Sequence, residues 1–203
     1  MSQIALPLDW PADEGDGAFI ISPSNAAAAR HLQAPGTWSV CATIITGPRK
    51  SGRSLLGRVI AGRTGGTLID NAQDRDEEEI FHAWNEAQRT RRPLLLVTDV
   101  PPPEWSVALP DLRSRLAATP CVTIGDPDEA LIERLIPMLL ERRGLVPQHG
   151  VVSYLTPRVE RCHHSVIALV DALDAASLAA RRPITVPLAR AVLSGIDAVA
   201  AAS

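Results

Sequence analysis

No run of about 18 apolar residues occurs anywhere in this 203-residue chain, so nothing in it reads as a membrane-spanning helix. No charged leader followed by an apolar stretch opens it, and export is not expected. Cysteine is scarce: Cys41, Cys121 and Cys162 are odd in number, widely spaced and set within apolar runs. That pattern argues against a disulfide framework, favours a reducing cytoplasm and predicts three small core residues. The five histidines include no pair at metal-ligand spacing beside a carboxylate or thiolate, and the adjacent His163 and His164 would point in different directions on a helix. No metal site is expected from them. Lysine is nearly missing, Lys50 being the one lysine among 20 basic residues, which fits an arginine-favouring genome. With a net charge of −3 and a pI near 5.9, the chain lacks the bulk positive charge needed to coat nucleic acid. Arg89, Arg91 and Arg92 read as solvated helix-end charges. There is no internal repeat and no low-complexity segment.

What remains is a chain that is 46% hydrophobic, enough to bury a proper core. Residues 1–17 join a short apolar stretch, "MSQIALPLDW", to the acidic, turn-prone "PADEGDG", a tail on a flexible link. In residues 18–125 strands alternate with helices. "SVCATIIT", "GTLIDNA", "PLLLVTD" and "CVTI" are the strand candidates. Between them lie "SLLGRVIAG", "DEEEIFHAWNEAQR", with Ile80, Phe81, Trp84 and Ala87 on one face, and "LPDLRSRLAA". Such alternation implies an α/β base with a mostly parallel sheet covered on both faces. From Asp126 to Ser203 the periodicity is helical throughout, giving an all-α subdomain.

The chemistry concentrates in "GPRKSGRS", residues 47–54, between the first strand and the following helix. It fits a phosphate-binding loop at Gly47, Gly52 and Ser54, but has Arg53 where such loops carry lysine. The glycines let backbone N–H groups curl around phosphate oxygens, the helix adds its positive end, and Ser54 is placed to bind Mg²⁺. Arg53 keeps the charge but not the lysine's geometry. Lys50 lies near the phosphates or faces solvent. The alternative is a strand-to-helix turn with no ligand. Asp70, ending the second strand, would hold the metal's water shell, although Asn71 follows it rather than a second acid. Thr98, ending the third strand, would contact a phosphate or an attacking water. Arg113 and Arg115 lie two apart on a short helix, so one would pair locally while the other projects, as an arginine finger or as a surface salt bridge.

Taken in order, "QIALPL", "SPSNAAA", "GRSLL", "LIDNA", "IFHAWNEA", "LLLVTD", "PPPEW", "LPDLRSRL" and "RRPITVPLARAVL" resemble Hda-type proteins, AAA+ relatives of the replication initiator DnaA that lack its DNA-binding domain. The resemblance spans nearly the whole chain. It implies a P-loop AAA+ base with about four strands, because only "AGRTGG" separates the loop helix from "LIDNA", followed by an all-α lid. It implies a cytoplasmic protein that binds ADP, with Mg²⁺ at Ser54 and Asp70, and that hydrolyses little itself. The partners implied are the sliding clamp, met by Gln3, Ile4, Leu6 and Leu8, and DnaA, whose ATP hydrolysis Arg115 would promote in trans. A homo-dimer or higher oligomer is compatible with it, and a membrane is not. Gly47, Gly52, Arg53, Ser54, Asp70 and Thr98 become the nucleotide site, with Lys50 at its rim. At the lid position where related ATPases place an arginine stands His164, charged only in part near neutral pH. With Arg53 and Asn71 it keeps a second reading open: a clamp-tethered adaptor that has lost nucleotide binding. A phosphotransferase is disfavoured, since no acceptor-site acid and base pair is evident.

Overall fold

The computed structural model describes residues 19–200. Gln3, Ile4, Leu6 and Leu8 lie outside them. Four strands, β1 (Ala42–Thr46), β2 (Thr67–Ile69), β3 (Leu94–Val97) and β4 (Cys121–Thr123), form one sheet in the order β2-β3-β1-β4. Every pairing is parallel, with Ala42 opposite Leu94, Ile44 opposite Cys121 and Thr67 opposite Leu94. β1 and β3 are buried along their whole length. That is why they read as unbroken apolar runs rather than as an alternation of apolar and polar residues.

Successive residues of these strands feed opposite faces. Ile44, Leu94 and Leu96 pack with Ile80, Ala87, Leu112 and Leu116 of α3 (Glu77–Thr90) and α4 (Pro110–Ala118). Ile45, Leu95 and Val97 pack with Ala28, Leu32, Leu56 and Ile60 of α1 (Ala26–Gln33) and α2 (Arg53–Thr64). Each of the larger side chains contributes about 1.5–3 kcal/mol on burial. A separate core forms from α5 (Glu129–Glu141), α6 (Val151–Leu155), α7 (His163–Ala180) and α8 (Val186–Ala200), centred on Ile136, Leu140, Leu155, Val166 and Leu173. The stripe Val166, Leu169, Val170 and Leu173 is buried, as its helical spacing predicts.

The helix ends follow the sequence closely. Asp76 caps α3 by accepting from the Glu78 N–H at 2.8 Å, and Glu77, Glu78 and Glu79 occupy the first turn. α4 lacks a capping side chain of its own. Its start is held instead by Glu77, whose carboxylate accepts from the N–H groups of Ala108 at 2.7 Å and Leu109 at 2.6 Å. Asp128 caps α5 through the Leu131 N–H at 2.8 Å and also accepts from the Ser24 N–H at 3.0 Å. One carboxylate thus ties the first lid helix to the segment before α1.

The cysteines are not core residues, contrary to expectation. Cys41 and Cys162 are half-buried, Cys121 is exposed, and all three are free thiols. The reason is position: Cys41 precedes β1, Cys121 opens an edge strand, and Cys162 is the residue before α7. Among the described residues no helix is long and apolar enough to cross a membrane.

Candidate functional site

In a parallel sheet all C-terminal strand ends lie on one side, and the residues that follow them meet there. Residues 47–54 leave β1, Asp70 leaves β2, Thr98 and Asp99 leave β3, and Gly125 follows β4. Gly47 has φ 143°, and a Cβ there would lie 2.4 Å from the Ile124 carbonyl oxygen. Only glycine can pass that point. Gly52, the N-cap of α2, has φ 88°, and a Cβ on it would come within 3.1 Å of the Phe19 ring. Lys50 is exposed, in the left-handed region at φ 64°. The Ser51 hydroxyl is buried in the loop without a hydrogen-bond partner. An orphaned buried hydroxyl beside a helix N-terminus suits an anion such as a phosphate.

Ser54 and Asp70 meet: the Ser54 hydroxyl donates to Asp70 Oδ1 at 3.0 Å, and the Asn71 N–H donates to the same oxygen at 3.1 Å. A serine oxygen and a carboxylate at this separation form a donor set that suits Mg²⁺ when a nucleotide is present. Asn71 itself is exposed, with φ 51°.

Arg53 is where the structure departs from the phosphate-loop pattern. Its side chain is 9% exposed and turned to the end of β3, where Nη1 donates to the Thr98 carbonyl oxygen at 2.6 Å and Nη2 pairs with Asp99 Oδ1. Arg49 donates through Nε to Asp99 Oδ2 at 3.0 Å. Arg53 above all, and then Arg49, hold the Asp99 carboxyl below the usual carboxylate range. Asp99 was assigned no role from the sequence. The signal available was its place next to Thr98 at the end of a strand. The Thr98 hydroxyl is also engaged, donating to the Val100 carbonyl at 2.9 Å and accepting from the Val100 N–H at 3.1 Å. It therefore serves its own turn.

The two arginines of α4 lie down rather than project. Arg113 donates to the Val107 carbonyl through Nε at 2.9 Å and Nη2 at 2.6 Å. Arg115 folds back over α3, with its guanidinium carbon 4.2 Å from the Phe81 ring centre and 5.0 Å from that of Trp84, and its Nη1 bonded to Asn85 Oδ1. An open groove of about 460 Å³ beside α4, lined by Pro102, Pro103, Trp105 and Leu116 among others, includes none of the loop residues 47–54.

At the lid, His164 is exposed while His163 is buried, its Nε2 without a partner. Burial pushes the His163 pKa down, against smaller upward effects of the Gly125 backbone and Asp126. Burial also lowers that of His31. A histidine held neutral in the fold binds its proton more readily once unfolded. Stability is therefore full above about pH 6.5 and falls as the pH drops from there toward the lowered folded values. Thermal melts between pH 7.5 and 5 should show this decline, and His163→Leu should make it shallower. A melting temperature flat across that range would contradict the buried neutral histidine.

The family model described as "Hda, lid domain" matches residues 134–193, from within α5 to within α8. An uncharacterized protein of Haemophilus influenzae is 30% identical over 122 residues, 60% of this chain. The matched stretch spans about half, 53%, of that relative. Among solved structures, domain III of the Thermotoga maritima replication initiation protein DnaA superposes with a TM-score of 0.69 at 16% identity, covering 87% of this chain and 94% of that one. AMPPCP-bound DnaA from Aquifex aeolicus gives 0.57 at 16%, covering 75% and 62%. The Thermotoga maritima RuvB Holliday junction branch migration motor gives 0.60 at 14%, covering 84% and 67%. At such identities these likenesses show the fold, a four-stranded AAA+ base followed by a helical lid. Over residues 134–193 this chain is therefore similar to the Hda lid domain, and the base that precedes that stretch has the fold of DnaA domain III.

Proposed function

We propose that the chain is a negative regulator of replication initiation that works with the sliding clamp and stimulates hydrolysis of the ATP held by DnaA. The observation that carries this reading is the Hda lid on a DnaA-like base whose loop keeps Gly47, Gly52 and the Ser54–Asp70 pair. Gln3, Ile4, Leu6 and Leu8 act as an extended peptide for the clamp: the apolar side chains fill a groove and Gln3 fixes orientation by hydrogen bonding. Clamp tethering raises the local concentration of the regulator where replication has begun. Arg115 is the finger. Its charge stabilises the negative charge that develops on the γ-phosphate of DnaA's nucleotide, and its planar fork is suited to phosphate oxygens.

The chain's own nucleotide is ADP, held by the backbone of residues 47–54, with Ser54 and Asp70 on Mg²⁺ and Lys50 at the rim. The charge supplied by a bound Mg²⁺ would partly neutralise the phosphates. Arg53 is held by Asp99, the Thr98 hydroxyl by its own turn, and Asn71 is an amide that cannot take a proton from water. This arrangement suits retention of a diphosphate rather than turnover of a triphosphate. The same features favour a second reading, a clamp-tethered adaptor without nucleotide, in which the lid and base form a recruitment surface.

Single-turnover hydrolysis of labelled ATP prebound to DnaA, with DNA-loaded clamp, tests the proposal. Addition of this chain should accelerate hydrolysis, and Gln3→Ala with Leu6→Ala should remove both the acceleration and clamp binding while leaving the melting temperature unchanged. No acceleration by wild type with clamp binding verified would leave the adaptor reading in its place.

A further inference from the structure

We propose that Asp99 is a built-in counter-anion of the phosphate loop, competing with the diphosphate of a bound nucleotide for Arg53 and so setting how tightly the site holds it. The proposal rests on the reading of residues 47–54 as a phosphate site. Arg53 Nη2 and Arg49 Nε each meet one oxygen of the Asp99 carboxylate, so that one anion bridges two cations. A phosphate group bridging two guanidinium groups would present the same pattern. The other Nη of Arg53 donates to the Thr98 carbonyl at 2.6 Å, and its side chain is 9% exposed, which leaves little of the guanidinium open to a second anion beside Asp99.

Displacing the carboxylate has two costs for an incoming diphosphate. Arg53 must give up a charge-assisted hydrogen bond, and Asp99 then faces a group of its own sign. Arg49 moderates the second cost: its side chain is 83% exposed and can stay with Asp99 after Arg53 turns away. The position of Asp99 is held independently of nucleotide, since its N–H donates to Gln73 Oε1 at 3.2 Å. That bond anchors the backbone of Asp99 just beyond the end of β3, and the carboxylate itself is held by Arg49 and Arg53.

Asp99→Asn isolates the charge, because an amide of the same size still accepts from Arg53. Calorimetric binding of ADP and of adenosine to the full chain, stripped of nucleotide, is compared for wild type, Asp99→Asn and Asp99→Ser, with melting curves for all three. ADP affinity should rise about tenfold or more in the folded variants, with adenosine affinity unchanged. Equal or weaker ADP binding by the variants, with measurable binding by wild type, would overturn the competition while leaving the phosphate-site reading in place. Parallel gains for ADP and adenosine would overturn it as well, since the effect would not act through the phosphates. Absence of ADP binding in all three folded proteins would remove the phosphate-site reading and the proposal with it.

Discussion

Arg115→Ala is expected to abolish the acceleration of ATP hydrolysis on DnaA, a loss on the order of 10³-fold, while clamp binding stays at the wild-type level. The magnitude follows from what a finger does. It brings a fixed positive charge to a transition state whose negative charge is otherwise met only by the resident site. The structure adds a condition. Arg115 begins stacked over Phe81 and Trp84 and bonded to Asn85, so reaching a partner means leaving two rings and an amide. Cation–π contacts at partly exposed sites are worth roughly 0.5–1 kcal/mol each. That cost is small enough for a docking interface to supply. Arg115→Lys should recover little, since an ammonium reproduces the charge but not the fork. The measurement is the single-turnover rate with DNA-loaded clamp. Wild-type acceleration retained by Arg115→Ala would exclude this residue as the finger.

Gly47→Ala should be the most disruptive single change in the phosphate loop, destabilising the chain by about 2–4 kcal/mol. Two independent obstacles coincide there. The backbone at φ 143° disfavours any side chain, and the added methyl would meet the Ile124 carbonyl at 2.4 Å. That carbonyl cannot retreat easily: Ile124 is fully buried, and its own N–H is bonded to Thr46 O at 2.8 Å. In a chain of this size the melting temperature should fall by roughly 10 °C, and ADP retention should be lost with it. Gly65→Ala is the matched comparison, with φ 63° but open space around the new methyl. It should cost only about 1 kcal/mol. Equal melting temperatures for the two variants would mean that the Gly47–Ile124 approach is looser than described.

The sequence made some of this architecture plain and left other parts hidden, for reasons that differ by residue. Strands β1 and β3 are continuous apolar runs because both their faces are covered, and such runs announce themselves. Asp76 with three glutamates behind it marks a helix start for local reasons, and the structure uses it so. The Ser54–Asp70 contact was legible because the loop motif names its own partner at the end of a later strand. Asp99 was not. It acquires meaning only when the strand order sets β3 beside β1 and brings it to Arg53, and strand order is a tertiary fact. Phe81 and Trp84 had the spacing of core residues, yet they are only partly buried, and their rings carry Arg115. Nothing in a helical periodicity separates an aromatic face that meets the core from one that supports a cation.

The sheet ends in two very short strands, β2 and β4, each three residues long. An edge of that length exposes too few backbone donors and acceptors to template a strand from another molecule. Any protein that docks on this chain meets it through helices and loops, where contacts can be released and remade. The brevity of these two strands leaves a surface that resists irreversible edge-to-edge pairing with another sheet.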